Sequence, residues 1–205
     1  MAMTLKVTDD ENGGHRYLFD GQRVPGVSEV LALNDVLLKN AFYEEHREYA
    51  AMRGRDVHMA TADLDRGMKN HWWKGDAELE PYVKAWEAFK KDFGFKPRLI
   101  EKPLFHETFR YAGQCDRYGE CSDVGPVTLE IKGTSVIGPH VPLQLGGYNL
   151  LFEDWQDRTM VAVQLKPNGR YTPHWYKSSE GCRVFLAALT MALWKNTNHK
   201  LGMYK

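Results

Sequence analysis

Residues 127–132 read Val-Thr-Leu-Glu-Ile-Lys. Strict alternation of apolar and polar side chains is a strand pattern, because successive side chains on a β-strand point to opposite faces. Val127, Leu129 and Ile131 are expected to enter a core, while Thr128, Glu130 and Lys132 share the other face. A carboxylate and an ammonium then stand side by side at the end of a central strand. The bland alternative is the exposed face of an amphipathic strand, which is the better reading of a Glu-X-Lys taken alone. The surrounding segments limit the folds that can hold such a strand.

Downstream, residues 139–155 are expected to form a helix. Two strands, Arg158 to Lys166 and Arg170 to Lys177, flank Pro167-Asn168-Gly169, a strong turn signal. Ser178 or Ser179 is expected to cap a long helix through Trp194, with Glu180 in its first turn. Upstream, Arg98 to Phe105 and Phe109 to Tyr118 read as strands joined by a short His106-Glu107-Thr108 turn. At the N-terminal side, Asp20-Gly21 marks a hairpin within residues 15–25, and Ser28 is expected to cap a helix. Lys39 to about Arg66 favours helix, with Gly54 and Gly67 as candidate breaks. In Asp76 to Phe93, Leu79, Tyr82, Val83, Trp86 and Phe89 recur at helical spacing, and Gly94 suits a C-cap. The expected order is helices first, then β-β-β-α-β-β-α. This is an α/β fold with a central mixed sheet flanked by helices. Residues 1–205 are read as a single domain, mainly helical over about 26–95, with the core over about 96–195.

With 205 residues, 43% hydrophobic and 26% charged, the chain has the composition of a globular protein, not a disordered or fibrous one. Lys+Arg and Asp+Glu are 27 each, so the formal net charge is zero. That zero conceals a division. Arg158 to Lys205 carries eight Lys/Arg against one acid, Glu180, a charge of +7, whereas the first 157 residues carry 19 against 26, or −7. A basic region beside an acidic centre, or simply a solvated basic stretch, fits this division. Cys115, Cys121 and Cys182 are odd in number and lack CxxC spacing. A disulfide framework is not expected, and a four-cysteine zinc or iron–sulfur site is impossible within one chain. No N-terminal apolar signal region is seen, and the longest apolar stretch, about Val184 to Trp194, is too short to span a bilayer. A cytoplasmic protein without a membrane partner is expected.

The chemistry lies around the Glu-Ile-Lys strand. Asp116, in Gly113-Gln114-Cys115-Asp116, is expected at the end of the preceding strand with parity that brings it near Glu130. Two carboxylates and a lysine at adjacent strand ends suit a hard divalent cation such as Mg²⁺. His58, in Arg53-Gly54-Arg55-Asp56-Val57-His58, is either a structural helical histidine or a ligand that shifts preference toward Mn²⁺. Gln144 and Tyr148 share one face of a helix, and Gly146-Gly147 between them imply close approach of a backbone or a ligand.

Glu130-Ile131-Lys132 preceded by Gly113-X-X-Asp116 resembles the signature of the PD-(D/E)XK nuclease superfamily. Arg53-Gly54-X-X-Val57-His58 and Gln144-X-X-X-Tyr148 resemble two further motifs of its RecB-like branch, and Val24 to Leu31 resembles that branch's lead-in. The matches span roughly Val24 to Tyr148. The resemblance implies a restriction-endonuclease-like core of αβββαβ type. It implies Asp116 and Glu130 as metal ligands, completed by the Ile131 carbonyl and His58, with Mg²⁺ or Mn²⁺ as cofactor. Lys132 becomes the catalytic lysine. Gln144 and Tyr148 support the site or contact DNA, and Glu101 is an accessory acid or a surface strand residue. The chain departs from relatives that carry an iron–sulfur cluster or a helicase region.

The expected function is metal-dependent hydrolysis of DNA phosphodiesters by an exonuclease, as in phage-type recombination or DNA processing. An endonuclease on the same fold and an inert DNA-binding or assembly module are the alternatives. Expected partners are DNA, with a strand-annealing recombination protein or further copies of the chain implied by the group; a phage origin would place it in the bacterial host cytoplasm. Arg53 and Arg55, and Lys166, Arg170 and Lys177, are candidates for phosphate contact. Trp72 and Trp73, among Lys69, His71 and Lys74, suit either base stacking or packing under a loop. Residues 196–205 read as a tail.

Overall fold

A computed structural model of the chain describes residues 4–9, 14–34 and 44–198. Three short strands come first: β1 (Leu5–Asp9), β2 (His15–Phe19) and β3 (Gln22–Val24), paired antiparallel in that order. The β2–β3 turn is the expected Asp20-Gly21 pair, whose φ values of 49° and 79° are those of a type I′ hairpin. Helices α1 (Val27–Leu33), α2 (Glu44–Asp65) and α3 (Glu80–Asp92) follow. The remainder is β4 (Lys96–His106), β5 (Tyr111–Cys121), β6 (Gly125–Lys132), α4 (Val141–Asn149), β7 (Thr159–Leu165), β8 (Tyr171–Lys177) and α5 (Ser178–Asn198).

Strands β4 to β8 form one five-stranded sheet in chain order. β6 and β7 are parallel and every other pair is antiparallel, so the sheet is mixed. A parallel pair needs a crossover, and α4 supplies it. The sheet is covered on both sides. Leu129, Ile131, Val161 and Val163 pack with Val57, Trp86 and Phe89 of α2 and α3. Met160 and Ala162 pack with Val27, Leu145 and Phe185 of α1, α4 and α5. The small sheet seats Tyr17 and Phe19 on Ala112 and Phe105, with the Phe19 and Phe105 rings stacked at 3.8 Å between centroids.

Several expectations need correction. The face of β6 carrying Thr128 and Glu130 is buried, with 0% and 4% exposure, because the α4 crossover and α5 cover it. Ser28 lies inside α1. The N-cap is Gly26, whose N–H donates to Glu29. α2 runs through Gly54 without a break; residues 39–43 lie outside the described part. α3 starts at Glu80, not Asp76, because the Asp76 carboxylate accepts the Glu78 and Leu79 N–H groups in a turn and Pro81 opens the helix. Gly94 does terminate it, at φ 57°. β4 and β5 meet through residues 107–110, so β5 begins at Tyr111. α4 ends at Asn149, where its side chain accepts the Thr128 hydroxyl and donates to the Trp155 carbonyl; tighter three-residue turns continue past it. Ser178 is helical, since β8 runs directly into α5. β1 went unanticipated. α5 runs on to Asn198, past the expected end at Trp194 and into the expected tail, whose residues 199–205 lie outside the described part. Among the described residues no helix is long and apolar enough to cross a membrane.

Candidate metal centre

Strand register builds the site. Ile100 pairs with Arg117 and Lys102 with Cys115, which sets Glu101 of β4 opposite Asp116 of β5. Arg117 pairs with Leu129, and one step further sets Asp116 beside Glu130 of β6. Three carboxylates therefore stand in one row across three strands. Asp116 is mid-strand, not at a strand end as expected, and its Oδ2 accepts the Ile131 N–H at 2.6 Å. Glu101 takes φ 49°, a left-handed conformation a non-glycine residue holds only when its surroundings fix it.

α2 delivers His58 to this row. Its Nδ1 lies 3.1 Å from Asp116 Oδ1 and 3.5 Å from Glu101 Oε1. Ligand atoms of His58, Glu101 and Asp116 all fall within 4.8 Å of one another, so the three could hold one metal ion. Glu101, expected only as an accessory, is thus one of the three. Glu130 is arranged differently. Its Oε1 accepts Lys132 Nζ at 2.7 Å, and its Oε2 is buried with no hydrogen-bond partner. A buried carboxylate oxygen without a donor is costly. Lys132 Nζ also donates to Gln144 Oε1 at 3.2 Å, and Gln144 Nε2 to the Tyr148 hydroxyl at 3.1 Å. Gln144 and Tyr148 therefore share a face as expected and brace the lysine. Gly146 and Gly147 answer to packing: a Cβ at Gly146 would lie 2.2 Å from the Gly181 carbonyl carbon on α5, and one at Gly147 would lie 2.7 Å from the Phe185 ring.

The charges are strongly coupled. Burial opposes the imidazolium of His58, yet the Asp116 carboxylate, and then Glu101, outweigh it and raise the histidine to about 10. Burial likewise works against ionised Asp116, but His58 holds its carboxyl below the usual range. Burial, reinforced by Asp116, pushes Glu130 up to about 7. Burial works against the Lys132 ammonium, but Glu130 together with Asp116 holds it above its ordinary value. The cluster retains a cation at His58 where a metal would compete for the same oxygens.

Behind this row lies a group that sequence reading missed. Arg117 is fully buried and donates to Asp65 Oδ2 (2.7 Å), Glu101 Oε1 (3.1 Å), the Asp116 carbonyl (2.6 Å) and the Thr61 hydroxyl (3.1 Å). Asp65 also accepts Lys90 at 2.5 Å and the Trp86 indole N–H at 3.1 Å. One signal was available: His58, Thr61 and Asp65 follow helical i, i+3, i+7 spacing on one face of α2.

Other expected residues stand apart from the cluster. The Arg53 guanidinium lies over the Tyr49 and Tyr82 rings, 5.7 and 5.8 Å from their centroids, and Arg55 is exposed. Lys166 and Arg170 lie at the same sheet end as Lys132, since β7 runs parallel to β6. Lys177 pairs with Thr159 at the opposite end. Trp73 is core, and Trp72 is partly exposed with its N–H on Asp63. In comparisons with known proteins, no family model matches the chain and no curated protein matches it.

Proposed function

We propose that the protein is a metal-dependent deoxyribonuclease with a restriction-endonuclease-like core, acting on DNA ends. The observation that carries this reading is the row of Glu101, Asp116 and Glu130 met by His58, with Lys132 fixed beside it and Glu130 Oε2 buried without a donor. The residues fit a divalent cation. Oxygen donors dominate, one imidazole is within reach, and a cation would offset the cost of the unpartnered carboxylate oxygen. His58, Glu101 and Asp116 would hold the ion, with Glu130 adjacent; the donor set suits Mn²⁺ or Mg²⁺. When bound, the ion supplies Lewis-acid chemistry at a phosphodiester.

The chain's own residues supply the rest. Lys132 remains an ammonium, because Glu130 stabilises its charge, so it serves as a donor to a phosphoryl oxygen and not as a base. Gln144 fixes its direction, and Tyr148 fixes Gln144. Lys166 and Arg170 at the same sheet end, with exposed Arg55 three residues before His58 on α2, offer charge to a DNA backbone. The mixed sheet with its parallel β6–β7 pair and α4 crossover agrees with the resemblance read from the sequence.

The test is incubation of the purified protein with linear and closed circular DNA in Mn²⁺ or Mg²⁺. Metal-dependent loss of linear DNA with circular DNA intact is expected. Cleavage of the circle would make the enzyme an endonuclease, and intact linear DNA under every condition would remove the nuclease reading.

A further inference from the structure

Arg117 follows Asp116 on β5, and both side chains reach the face of α2 that carries His58, Thr61 and Asp65. Asp116 meets His58, and Arg117 enters the space between β5, α2 and α3. A guanidinium with no exposure needs acceptors for its donors, and it has four: Asp65, Glu101, Thr61 and the Asp116 carbonyl. The charges close without a metal. Lys90 and Arg117 stand against Asp65 and Glu101.

The division of labour inside that network is informative. Asp65 is already paired with Lys90 at 2.5 Å and takes the Trp86 N–H, so Arg117 is not needed to neutralise it. What Arg117 alone does is join Asp65 to Glu101. Glu101 Oε1 accepts Arg117 Nη1, and its Oε2 accepts Gln114 Nε2 at 3.2 Å. Both oxygens are thereby fixed, and Oε1 is the atom that faces His58 at 3.5 Å. The same Nη1 holds the Asp116 backbone carbonyl, so one nitrogen ties the Glu101 carboxylate to the stretch of β5 that carries Asp116. Outer partners that orient a ligand in advance strengthen metal binding.

We propose that Arg117 is a positioning residue that presents Glu101 to a divalent cation held jointly with Asp116 and His58. This rests on the reading of the cluster as a metal centre. Without Arg117, Glu101 would have to be ordered at the moment of binding.

The experiment measures Mn²⁺ affinity by titration calorimetry, with the electron paramagnetic resonance signal of free Mn²⁺ as a second readout. It uses the full chain, well below its melting temperature, as wild type, Arg117→Lys, Glu101→Gln and the double variant. Each single substitution is expected to weaken Mn²⁺ binding by about 10-fold or more. The double variant is expected to bind within about twofold of Glu101→Gln alone, because Arg117 acts through Glu101. Losses that multiply in the double variant, or an Arg117→Lys protein that binds as wild type does, would overturn the proposal. Wild type that binds no Mn²⁺ would instead overturn the metal reading and this inference with it. If Arg117→Lys fails to fold, Asp65→Asn carries the test: it loosens the anchor of Arg117, and a several-fold loss absent from the Glu101→Gln background is the expected result. Unchanged affinity in Asp65→Asn would then overturn the proposal.

Discussion

Lys132 and Glu130 lie two residues apart on β6, and Lys132 Nζ stands 2.7 Å from Glu130 Oε1 in a buried setting. Each holds the other's charge. Burial pushes Glu130 up to about 7, and Lys132 is the main influence pulling it back. Lys132→Met is expected to raise Glu130 further, visible in the side-chain carboxyl resonance of labelled glutamate followed against pH. The same variant, and Glu130→Gln, are expected to lose metal-dependent DNA cleavage by at least about 100-fold while keeping the wild-type circular dichroism spectrum. Cleavage at wild-type rates by either variant would remove this pair from the chemistry.

The His58 contacts predict how stability depends on pH. The folded histidine is raised from 6.5 to about 10, so its ion pairs contribute fully below about pH 6.5 and are lost as pH rises through about 10. Glu130, raised from 4.5 to about 7, is a buried acid whose ionisation costs stability as pH rises over that lower interval. Burial raises the Cys115, Cys121 and Cys182 thiols, which therefore cost stability only above about pH 8.5, so the window from about pH 7 to 8.5 isolates His58. Without metal, the melting temperature of wild type is expected to fall across that window, and that of His58→Gln to stay nearly flat. Metal binding should run the other way. The ion displaces the proton on His58, so Mn²⁺ affinity is expected to rise by up to about tenfold per pH unit in wild type. Equal pH slopes for the two proteins would show that His58 is not the titrating ligand.

Much of this site was legible because it rests on short periods. The alternation from Val127 to Lys132 identifies β6, and the spacing of Gln144 and Tyr148 puts both on one helix face. Exposure was not legible. Whether Glu130 faces water depends on α4 and α5 crossing over it, and that follows from a parallel pairing between segments far apart in sequence. Glu101 was underrated for a related reason, since its place is set by register with β5 and by a positive φ that a glutamate does not advertise. Arg117 reads as one charge in a strand until α2 is laid beside it. β1, with only Leu5 and Val7 as apolar positions, is defined by pairing with β2 more than by its own pattern.

The contact between α4 and α5 is expected to be intolerant of a single methyl group. A Cβ at Gly146 would lie 2.2 Å from the Gly181 carbonyl carbon and 2.6 Å from the Cys182 nitrogen. Backbone atoms cannot rotate aside, so the helices must separate. Gly146→Ala is expected to cost about 1–3 kcal/mol, seen as a lower midpoint in urea. Gln144 lies on the same short helix, so the shift should also reach Lys132.

Gly54 is the opposite case. It lies inside the 22-residue α2, one turn before His58, and a Cβ there would meet nothing within 4 Å. Neither packing nor a positive φ calls for glycine at this position, and glycine in a helix interior is less stable than alanine. Gly54→Ala is therefore expected to stabilise the protein by about 0.5–1 kcal/mol, raising the melting temperature by roughly 1–4 °C for a chain of this size. Mn²⁺ affinity is expected to remain at the wild-type value, because His58 keeps its place on the same helix. A fall in melting temperature would mean that the open side of α2 is occupied in the folded protein.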